Sequence, residues 1–148
     1  SEYRVRSKLD SKMSMYAGKY IYVIWRDDYS SKVFFSKSVD NGATFTKPLI
    51  IDAGRSDSDL RATIFGNDIH VIWKDNRDGI AYTRSIDNGT SFSTPILLTN
   101  NSEAYKPDIA AFQNNIYVVW HDYLVTSNIS MVSSLDKDKT PSILSNFS

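Results

Sequence analysis

The sequence has no cysteine, only two histidines and no long apolar run. Without cysteine, a disulfide scaffold, a thiolate zinc site and a cysteine nucleophile are excluded. The apolar runs, of which residues 21–25 are typical, are far shorter than the ~20 residues that cross a bilayer as a helix. Lysine plus arginine number 17, as do aspartate plus glutamate, so the basic excess of a nucleic-acid-binding protein is missing. We therefore predict neither a membrane span nor a nucleic-acid partner.

The composition is that of a folded domain. Hydrophobic residues make up 41% of the chain and aromatic residues 13%, which is too rich for intrinsic disorder. A chain of 148 residues has the size of one domain and buries roughly 70% of its unfolded surface. A sizeable core is therefore expected.

Three segments of the chain are variants of one another, at residues 18–27, 66–75 and 113–122. In each, a β-branched and aromatic run ends at a tryptophan, which a basic residue and an aspartate follow. These tryptophans, Trp25, Trp73 and Trp120, lie 48 and 47 residues apart, which indicates a structural repeat. We expect all three side chains to belong to the core.

A second motif recurs with nearly the same period. Its pattern is Ser-x-Asp-Asn-Gly followed by a phenylalanine, at residues 38–45 and 85–92, and a degenerate third copy surrounds Asp136. The motif residues are Ser38, Asp40, Gly42 and Phe45 in the first copy, and Ser85, Asp87, Gly89 and Phe92 in the second. Two independent markers with one period make chance similarity a poor explanation.

Each repeat reads as four strands. Residues 20–25, 69–73 and 116–120 are strand-length apolar runs, preceded by strands at 60–65 and 108–112 and followed by strands at 33–38, 80–85 and 129–134. Fourth strands are predicted at 45–51 and 92–98. Because Pro48 and Pro95 lack the ladder donor, these fourth strands should lie at a sheet edge.

A four-stranded antiparallel unit of this length predicts an all-β fold, a β-propeller with three blades in this chain. The blades are expected at about 12–52, 53–99 and 100–148, with residues 1–11 a candidate outer strand of another blade. Propellers close with 4–8 blades, so three cannot form a ring. We expect either further blades of a longer chain or a homodimer that completes a six-bladed ring, since otherwise both end faces would leave apolar patches in water.

The Ser-x-Asp-x-Gly-x-Thr/Ser-Phe pattern resembles the Asp-box, and the whole chain resembles the sialidase-like propellers of the bacterial neuraminidase repeat family. This resemblance implies a hairpin turn between the third and fourth strands, on the face opposite the substrate site. The residues suit that role, because Asp40 and Asp87 can accept backbone N–H bonds and Asn-Gly supplies positive φ. Phe45 and Phe92 would pack the start of the fourth strand into its blade. The motif residues, Asp136 among them, are thus expected to be structural.

The resemblance to sialidases does not extend to their catalytic residues. Enzymes of the family use three arginines, a Tyr–Glu pair, an acidic proton donor and an Arg-Ile-Pro signature. The signature is absent here, and neither of the two glutamates, Glu2 and Glu103, lies beside a tyrosine on a predicted inner strand. We therefore predict no catalytic residue and favour a protein that is not an enzyme. His70 and His121 lie far apart in the repeat, so no metal and no cofactor are predicted.

Polar residues recur where the tryptophan strands end and the inner strands begin. Antiparallel connectivity brings these positions to one end of the propeller, the channel mouth, where they could bind a polar ligand such as a glycan. The alternative is that each aspartate caps its own loop and pairs with the neighbouring cation. The candidate residues are Arg26, Asp27, Asp59, Arg61, Lys74, Asp75, Arg77, His121 and Asp122.

Three functions are compatible with this sequence. The first is a non-catalytic propeller module that binds a protein or a glycan at the cell surface or outside the cell, where the chain's four Asn-x-Ser/Thr sequons would suit it. The second is part of a glycoside hydrolase, sialidase-like, whose catalytic residues lie elsewhere. The third is a purely architectural, self-assembling repeat protein.

Overall fold

The computed structural model describes residues 14–17, 20–54, 56–76, 79–99, 103–112, 115–122, 129–134 and 142–147. Within these ranges the regular secondary structure consists of twelve strands. This confirms the predicted all-β class. No helix in the described part of the chain is long and apolar enough to cross a membrane.

The strands form three four-stranded antiparallel sheets, each built from consecutive strands in chain order. The first sheet contains β1 (Ser14–Ala17), β2 (Tyr20–Arg26), β3 (Val33–Ser38) and β4 (Leu49–Asp52). The second contains β5 (Ser56–Phe65), β6 (Asp68–Asp75), β7 (Gly79–Ser85) and β8 (Ile96–Leu97). The third contains β9 (Ala104–Phe112), β10 (Asn115–Asp122), β11 (Ile129–Ser134) and β12 (Ser142–Phe147).

Most strands lie where the sequence predicts them, but the inner strands β5 and β9 begin four residues earlier than predicted, and the fourth strands differ as well. β3 and β11 begin and end at the predicted residues, and β4 and β8 are edge strands as the prolines indicate. Instead of beginning at residues 45 and 92, however, β4 begins at Leu49 and β8 at Ile96, directly after the prolines. Proline has no N–H, so the ladder resumes only beyond it.

Ahead of each proline, one backbone hydrogen bond and one or more hydroxyl hydrogen bonds take the place of a regular strand ladder. Thr46 donates its N–H to the Lys37 carbonyl at 2.9 Å, and the Ser36 hydroxyl donates to the Thr46 carbonyl at 2.6 Å. The second sheet repeats this arrangement. The Ser93 N–H donates to the Arg84 carbonyl at 2.8 Å, and the Thr83 hydroxyl donates to the Ser93 carbonyl at 2.6 Å. Each predicted fourth strand is thus a short hydroxyl-bonded segment followed by a short true strand.

The first two sheets pack face to face. Side chains alternate between the two faces of a strand, so each sheet has a tryptophan face, on which the tryptophan of its second strand lies, and an opposite face. The tryptophan face of the second sheet packs against the opposite face of the first. The buried residues of this contact are Ile69, Val71, Trp73 and Ala81 from the second sheet, and Tyr22, Ile24, Val33 and Phe35 from the first, with Ile51 and Leu60.

The third sheet repeats this arrangement on the second. Its tryptophan-face residues Ile116, Val118 and Trp120 pack against the opposite face of the second sheet, which contributes Ile72, Ile80 and Tyr82. The inner strands β5 and β9 lie beside each other. The tryptophan faces of the second and third sheets therefore each cover the opposite face of the sheet before them.

His70 is buried in this second contact and acts as a packed strand residue. Its Nδ1 lies 2.9 Å from the Tyr82 hydroxyl, and the two rings stack. Burial, aided by the nearby Arg84 charge, lowers the pKa of His70 to about 4, and burial raises the pKa of Tyr82 to about 12. Both side chains are therefore neutral near pH 7.

The turn of the second sheet is wedged against the first sheet. Gly89 lies so close to Phe35 that a Cβ there would come within 2.3 Å of the Phe35 Cζ. The Phe92 ring lies 4.9 Å from the Phe35 ring, centroid to centroid. Asn88 accepts a hydrogen bond from the Tyr22 hydroxyl through its side chain, and one from Lys37 Nζ through its carbonyl at 2.7 Å.

Two expected core residues of the first sheet are not fully buried. Phe45 is 48% exposed instead of packing into its own sheet, and Trp25 is only partly buried, stacked on Phe34 at 5.5 Å between centroids. Their counterparts show the reason. Phe92 and Trp73 are covered because they pack against the preceding sheet, and no described sheet lies against the tryptophan face of the first.

The contact at Gly89 predicts an unequal cost of two glycine substitutions. Gly89→Ala combines a strained φ of +75° with the clash against Phe35, whereas Gly66→Ala, at a φ of +61°, meets nothing within 4 Å. Left-handed strain costs about 1–2 kcal/mol and overpacking adds about 1–3 kcal/mol. In urea denaturation, G89A should lose about 2 kcal/mol more unfolding free energy than G66A. Equal losses would contradict the wedged turn.

Candidate functional site

The antiparallel strand order gives each sheet two distinct ends. At one end, here the mouth end, the second strands finish and the inner strands begin, as in the pairings of Ser56 with Asp75 and of Ala104 with Asp122. At the other, the turn end, lie the connections from the third to the fourth strand. Most of the predicted ligand residues that the structure describes lie at the mouth end, and the Ser-x-Asp motifs lie at the turn end. Arg61 lies further along the inner strand β5, where it pairs with Ile72 of β6.

Arg26 is held in place at the mouth end by three hydrogen bonds. Its Nε donates to the Ser56 carbonyl at 2.9 Å, one terminal nitrogen pairs with Asp28 at 2.6 Å, and the other donates to the Ser31 hydroxyl at 3.3 Å. The guanidinium thereby joins the end of β2 to the start of β5. These contacts favour a structural role for Arg26.

Asp27 caps its own loop. It accepts hydrogen bonds from the Ser30 hydroxyl and N–H, the latter at 3.1 Å, and from the Tyr29 N–H at 3.4 Å. The Ser30 hydroxyl is the main cause of the lowered pKa of Asp27. The loop-capping alternative thus describes Asp27 well, although Arg26 pairs with Asp28 rather than with Asp27.

Asp59 and Lys106 join the two inner strands. Both have positive φ, 56° and 48°, and the Lys106 N–H donates to the Asp59 carboxylate at 3.2 Å. A non-glycine residue with positive φ is uncommon, and here both occur at matching positions near the starts of β5 and β9. The pair fixes the spacing of the inner strands at the mouth end.

Arg61 has the least engaged cation among the predicted ligand residues for which the structure gives contacts. It is half-buried, and among the described residues its guanidinium makes one hydrogen bond, to the Leu60 carbonyl at 2.9 Å. A guanidinium has five N–H donors, so most of its donor capacity remains available to a ligand.

The remaining candidates lie on the second and third sheets. Asp75 is buried, Lys74 and Asp122 are half-buried, and all three interact with other groups. His121 is exposed, and its ring lies 5.4 Å from the Tyr105 ring, over which Lys106 Nζ sits at 5.8 Å. Arg77 lies outside the described residues.

Sequence reasoning missed three participants at the mouth end. Asp28, Ser56 and Tyr105 take part through contacts with Arg26 or His121. The sequence offered a signal for Asp28, because two aspartates follow Arg26. Which of the two pairs with the cation depends on the loop geometry. Ser56 acts through its backbone carbonyl, which no side-chain pattern reveals. The mouth end therefore combines one fixed arginine and an aromatic pair, with one available arginine further along β5.

At the turn end, both motif copies have the same geometry. Ser38 donates to Asp40 at 2.7 Å and accepts from the Gly42 N–H at 2.8 Å, and Ser85, Asp87 and Gly89 repeat both distances. Each aspartate also accepts the N–H four residues later, at 2.9 Å. The Asn-Gly residues have positive φ, between 57° and 88°. In both copies the aspartate therefore bonds to the turn that follows it, while Asp136 lies outside the described residues.

These hydrogen bonds also shift the acidity of the turn carboxyls. Donation from the Thr44 hydroxyl, with further hydrogen bonds, lowers the pKa of Asp40 to about 2, and Ser91 lowers that of Asp87 in the same way. Both carboxylates are exposed and ionised at neutral pH, and their oxygens are occupied by the turn itself. In the part of the chain that the structure describes, no group of histidine, aspartate and glutamate side chains could hold a metal ion.

Comparison with known proteins identifies the class of fold. No family model matches this sequence, and no curated protein matches it. Solved structures that resemble it include sialidases and GH43 or GH62 glycoside hydrolases with a β-propeller fold, and this chain spans less than half of each of them. At 9–18% identity the likeness shows the fold alone, that of part of a β-propeller.

Three of these structures illustrate the likeness. Trypanosoma rangeli sialidase in complex with 2,3-difluorosialic acid is 15% identical with a TM-score of 0.60, covering 94% of this chain and 31% of that one. Xylan β-1,4-xylosidase from Bacillus halodurans is 9% identical with a TM-score of 0.56, and the match covers 96% of this chain and 32% of the xylosidase. The catalytic domain of the Coprinopsis cinerea GH62 α-L-arabinofuranosidase is 12% identical with a TM-score of 0.52. The match covers 85% of this chain and 46% of the arabinofuranosidase.

The lowered pKa of Asp40 predicts a defined acid sensitivity. Because the folded pKa lies below the unfolded value, the ionised carboxylate stabilises the fold above about pH 4, and this contribution is lost as the pH falls towards 2. Asp40→Asn should therefore be less stable than the wild type at pH 6. Urea unfolding at several pH values should show this difference narrowing between pH 4 and pH 2. A difference that stays constant would contradict the turn role of the carboxylate.

Proposed function

We propose that this chain is part of a non-catalytic, sialidase-like Asp-box β-propeller that binds glycans at its mouth end, at the cell surface or outside the cell. The observation that carries the proposal is Arg61, a half-buried arginine on the inner strand β5, two residues beyond Asp59, with most of its donors unused among the described residues. The fold supports it, since the similar solved structures are glycoside hydrolases.

Arg61 suits a glycan because its donors form a planar fork. Guanidinium groups bind carboxylates in a bidentate manner and also donate to hydroxyl oxygens. The neighbouring Asp59–Lys106 hydrogen bond fixes the strand that bears Arg61, which lowers the entropy lost on binding. Tyr105 and His121 add aromatic faces at the mouth end, against which a sugar ring can pack. An acidic glycan fits this combination best.

The state of the carboxylates supports a non-catalytic role. Glycoside hydrolysis in most families uses two carboxyl groups placed on either side of the scissile bond. At the mouth end, Asp27 is occupied by its loop, Asp28 by Arg26, and Asp59 by the Lys106 N–H. Asp75 is buried and interacts with another group. A carboxylate engaged in this way is a poor acid or nucleophile.

The Asp-box assignment belongs to the same proposal. Two copies, 47 residues apart, share one hydrogen-bond pattern around Asp40 and Asp87, and the sequence has a third, degenerate copy at Asp136. We assign these turns to the box because its aspartate holds a hairpin between the third and fourth strands, as both copies do here. The box is then a folding device at the turn end.

A second function is part of a glycoside hydrolase whose catalytic residues lie outside this chain. The observation that favours it is that the chain spans only 18–46% of the length of the enzymes it resembles, so the remaining blades and their residues would lie elsewhere. The architectural alternative is favoured by the pairing of Arg26 with Asp28 and by the capping role of Asp27, which are contacts of a scaffold.

The glycan proposal predicts a selective loss on changing Arg61. The 148-residue chain is applied to an array of sialylated, uronate-bearing and neutral oligosaccharides, and the best ligand is titrated by calorimetry. Arg61→Ala should weaken binding about tenfold or more, since a charged hydrogen bond contributes about 1.5–3 kcal/mol. Lys47→Ala, an exposed cation at the turn end, is the matched control and should bind normally.

Other outcomes separate the alternatives. No binding by the wild type to any glycan of the array, or equal binding by R61A, would overturn the glycan role and leave the architectural one. Hydrolysis of chromogenic sialosides, xylosides or arabinosides by this chain would overturn the non-catalytic role. R61A should unfold at the same temperature as the wild type, which would show that a loss of binding is not caused by a loss of folding.

A further inference from the structure

We propose that two copies of this chain pair about a two-fold axis, so that the tryptophan face of each first sheet covers the opposite face of the partner's third sheet. The assembly contains six sheets and has no uncovered end face. The inference rests on sheet packing and is independent of the glycan proposal.

The tryptophan faces supply the first part of the argument. On the second sheet Ile69, Val71 and Trp73 are each 0% exposed, and on the third Ile116, Val118 and Trp120 are 7%, 2% and 3% exposed. The corresponding residues of the first sheet, Ile21, Val23 and Trp25, are all partly exposed. The same apolar row is thus buried where a preceding sheet lies against it and only partly buried in the first sheet, against which no described sheet lies.

The opposite faces show the same contrast at the other end of the chain. Tyr22 and Ile24 are 1% and 0% exposed beneath the second sheet, and His70 and Ile72 are 5% and 0% exposed beneath the third. Their counterparts on β10, Tyr117 and Val119, are partly exposed. In the part of the chain that the structure describes, two sheet faces are therefore not covered by another sheet, and they are of the two kinds that cover each other within it.

A specific polar pair links these two faces. Between the first and second sheets, the Tyr22 hydroxyl donates to the Asn88 side chain. Tyr117 occupies the position of Tyr22, and Asn41 occupies that of Asn88, with φ of 57° against 60°. In the proposed dimer Tyr117 donates to the partner's Asn41, an exposed residue in the single chain.

Phe45 would be buried in the same contact between the two copies. Its counterpart Phe92 packs on Phe35, which lies opposite Ile24 in the strand register. In the third sheet the residue opposite Val119 is Met131. The partner's Phe45, 48% exposed in the single chain, would lie over this position of β11.

The need to close a propeller ring favours a second copy of the chain as the partner that covers the end faces. Propellers close with about 4–8 blades, so three sheets need at least one more, and two copies provide six. A two-fold axis makes both end contacts at once, and such an isologous pairing leaves no face for further growth. Unpaired, the end faces would leave contiguous apolar surface in water.

Sedimentation equilibrium of the 148-residue chain tests the assembly. We expect a mass of twice 16.8 kDa at micromolar concentration. Val23→Asp places a charge in the uncovered tryptophan face and should weaken association about a hundredfold or more, because it buries an unpaired charge. Ile86→Asp, at a 58% exposed apolar residue away from both end faces, is the matched control and should remain dimeric.

Milder variants keep the test valid if V23D does not fold. Tyr117→Phe and Asn41→Ala should each weaken dimerisation roughly thirtyfold, because the two-fold axis makes each substitution remove two hydrogen bonds of about 1 kcal/mol, and the double variant should be no weaker than the singles. A monomeric wild type, open-ended assembly, equal dimerisation of V23D and I86D, or additive effects of Y117F and N41A would overturn the proposal.

Discussion

The packing of the second sheet's tryptophan face on the first sheet's opposite face is the contact on which the rest of the structure depends. Trp73 and Val71 meet Tyr22, Ile24 and Phe35 in a cluster from which water is almost excluded. Each large apolar side chain buried in this way contributes about 1.5–3 kcal/mol, more than any surface ion pair in the chain. A four-stranded sheet has two faces to bury, so this contact must be repeated along the chain.

The two ends of the sheets divide the remaining tasks. At the turn end, the oxygens of Asp40 and Asp87 are occupied by the turns they hold, and Gly89 allows its turn to approach Phe35. At the mouth end, Arg26 and the Asp59–Lys106 pair position the strands, and Arg61 nearby keeps donors for a ligand. Both ends thus contain contacts that hold the sheets together, and the proposed ligand binding involves only the residues at and near the mouth end.

Sequence periodicity predicted the all-β class, the order of the strands and the turn roles of Asp40 and Asp87, because these follow from local chemistry repeated three times. It did not predict where β4 and β8 begin, since that depends on the backbone and hydroxyl hydrogen bonds that replace the ladder before each proline. The exposure of Phe45 was missed because its burial depends on a neighbouring sheet. The contacts at the mouth end could not be predicted either, because loop geometry decides them.

The face-to-face contact can be tested directly by nuclear Overhauser spectroscopy on the wild-type chain. Phe35 and Phe92 lie in different sheets, with ring centroids 4.9 Å apart, and Gly89 adjoins the Phe35 ring. The account predicts strong cross-peaks from the Phe35 ring protons to the Phe92 ring and to the Gly89 α-protons. Cross-peaks from Phe35 to its own sheet only, with none to Phe92 or Gly89, would contradict it.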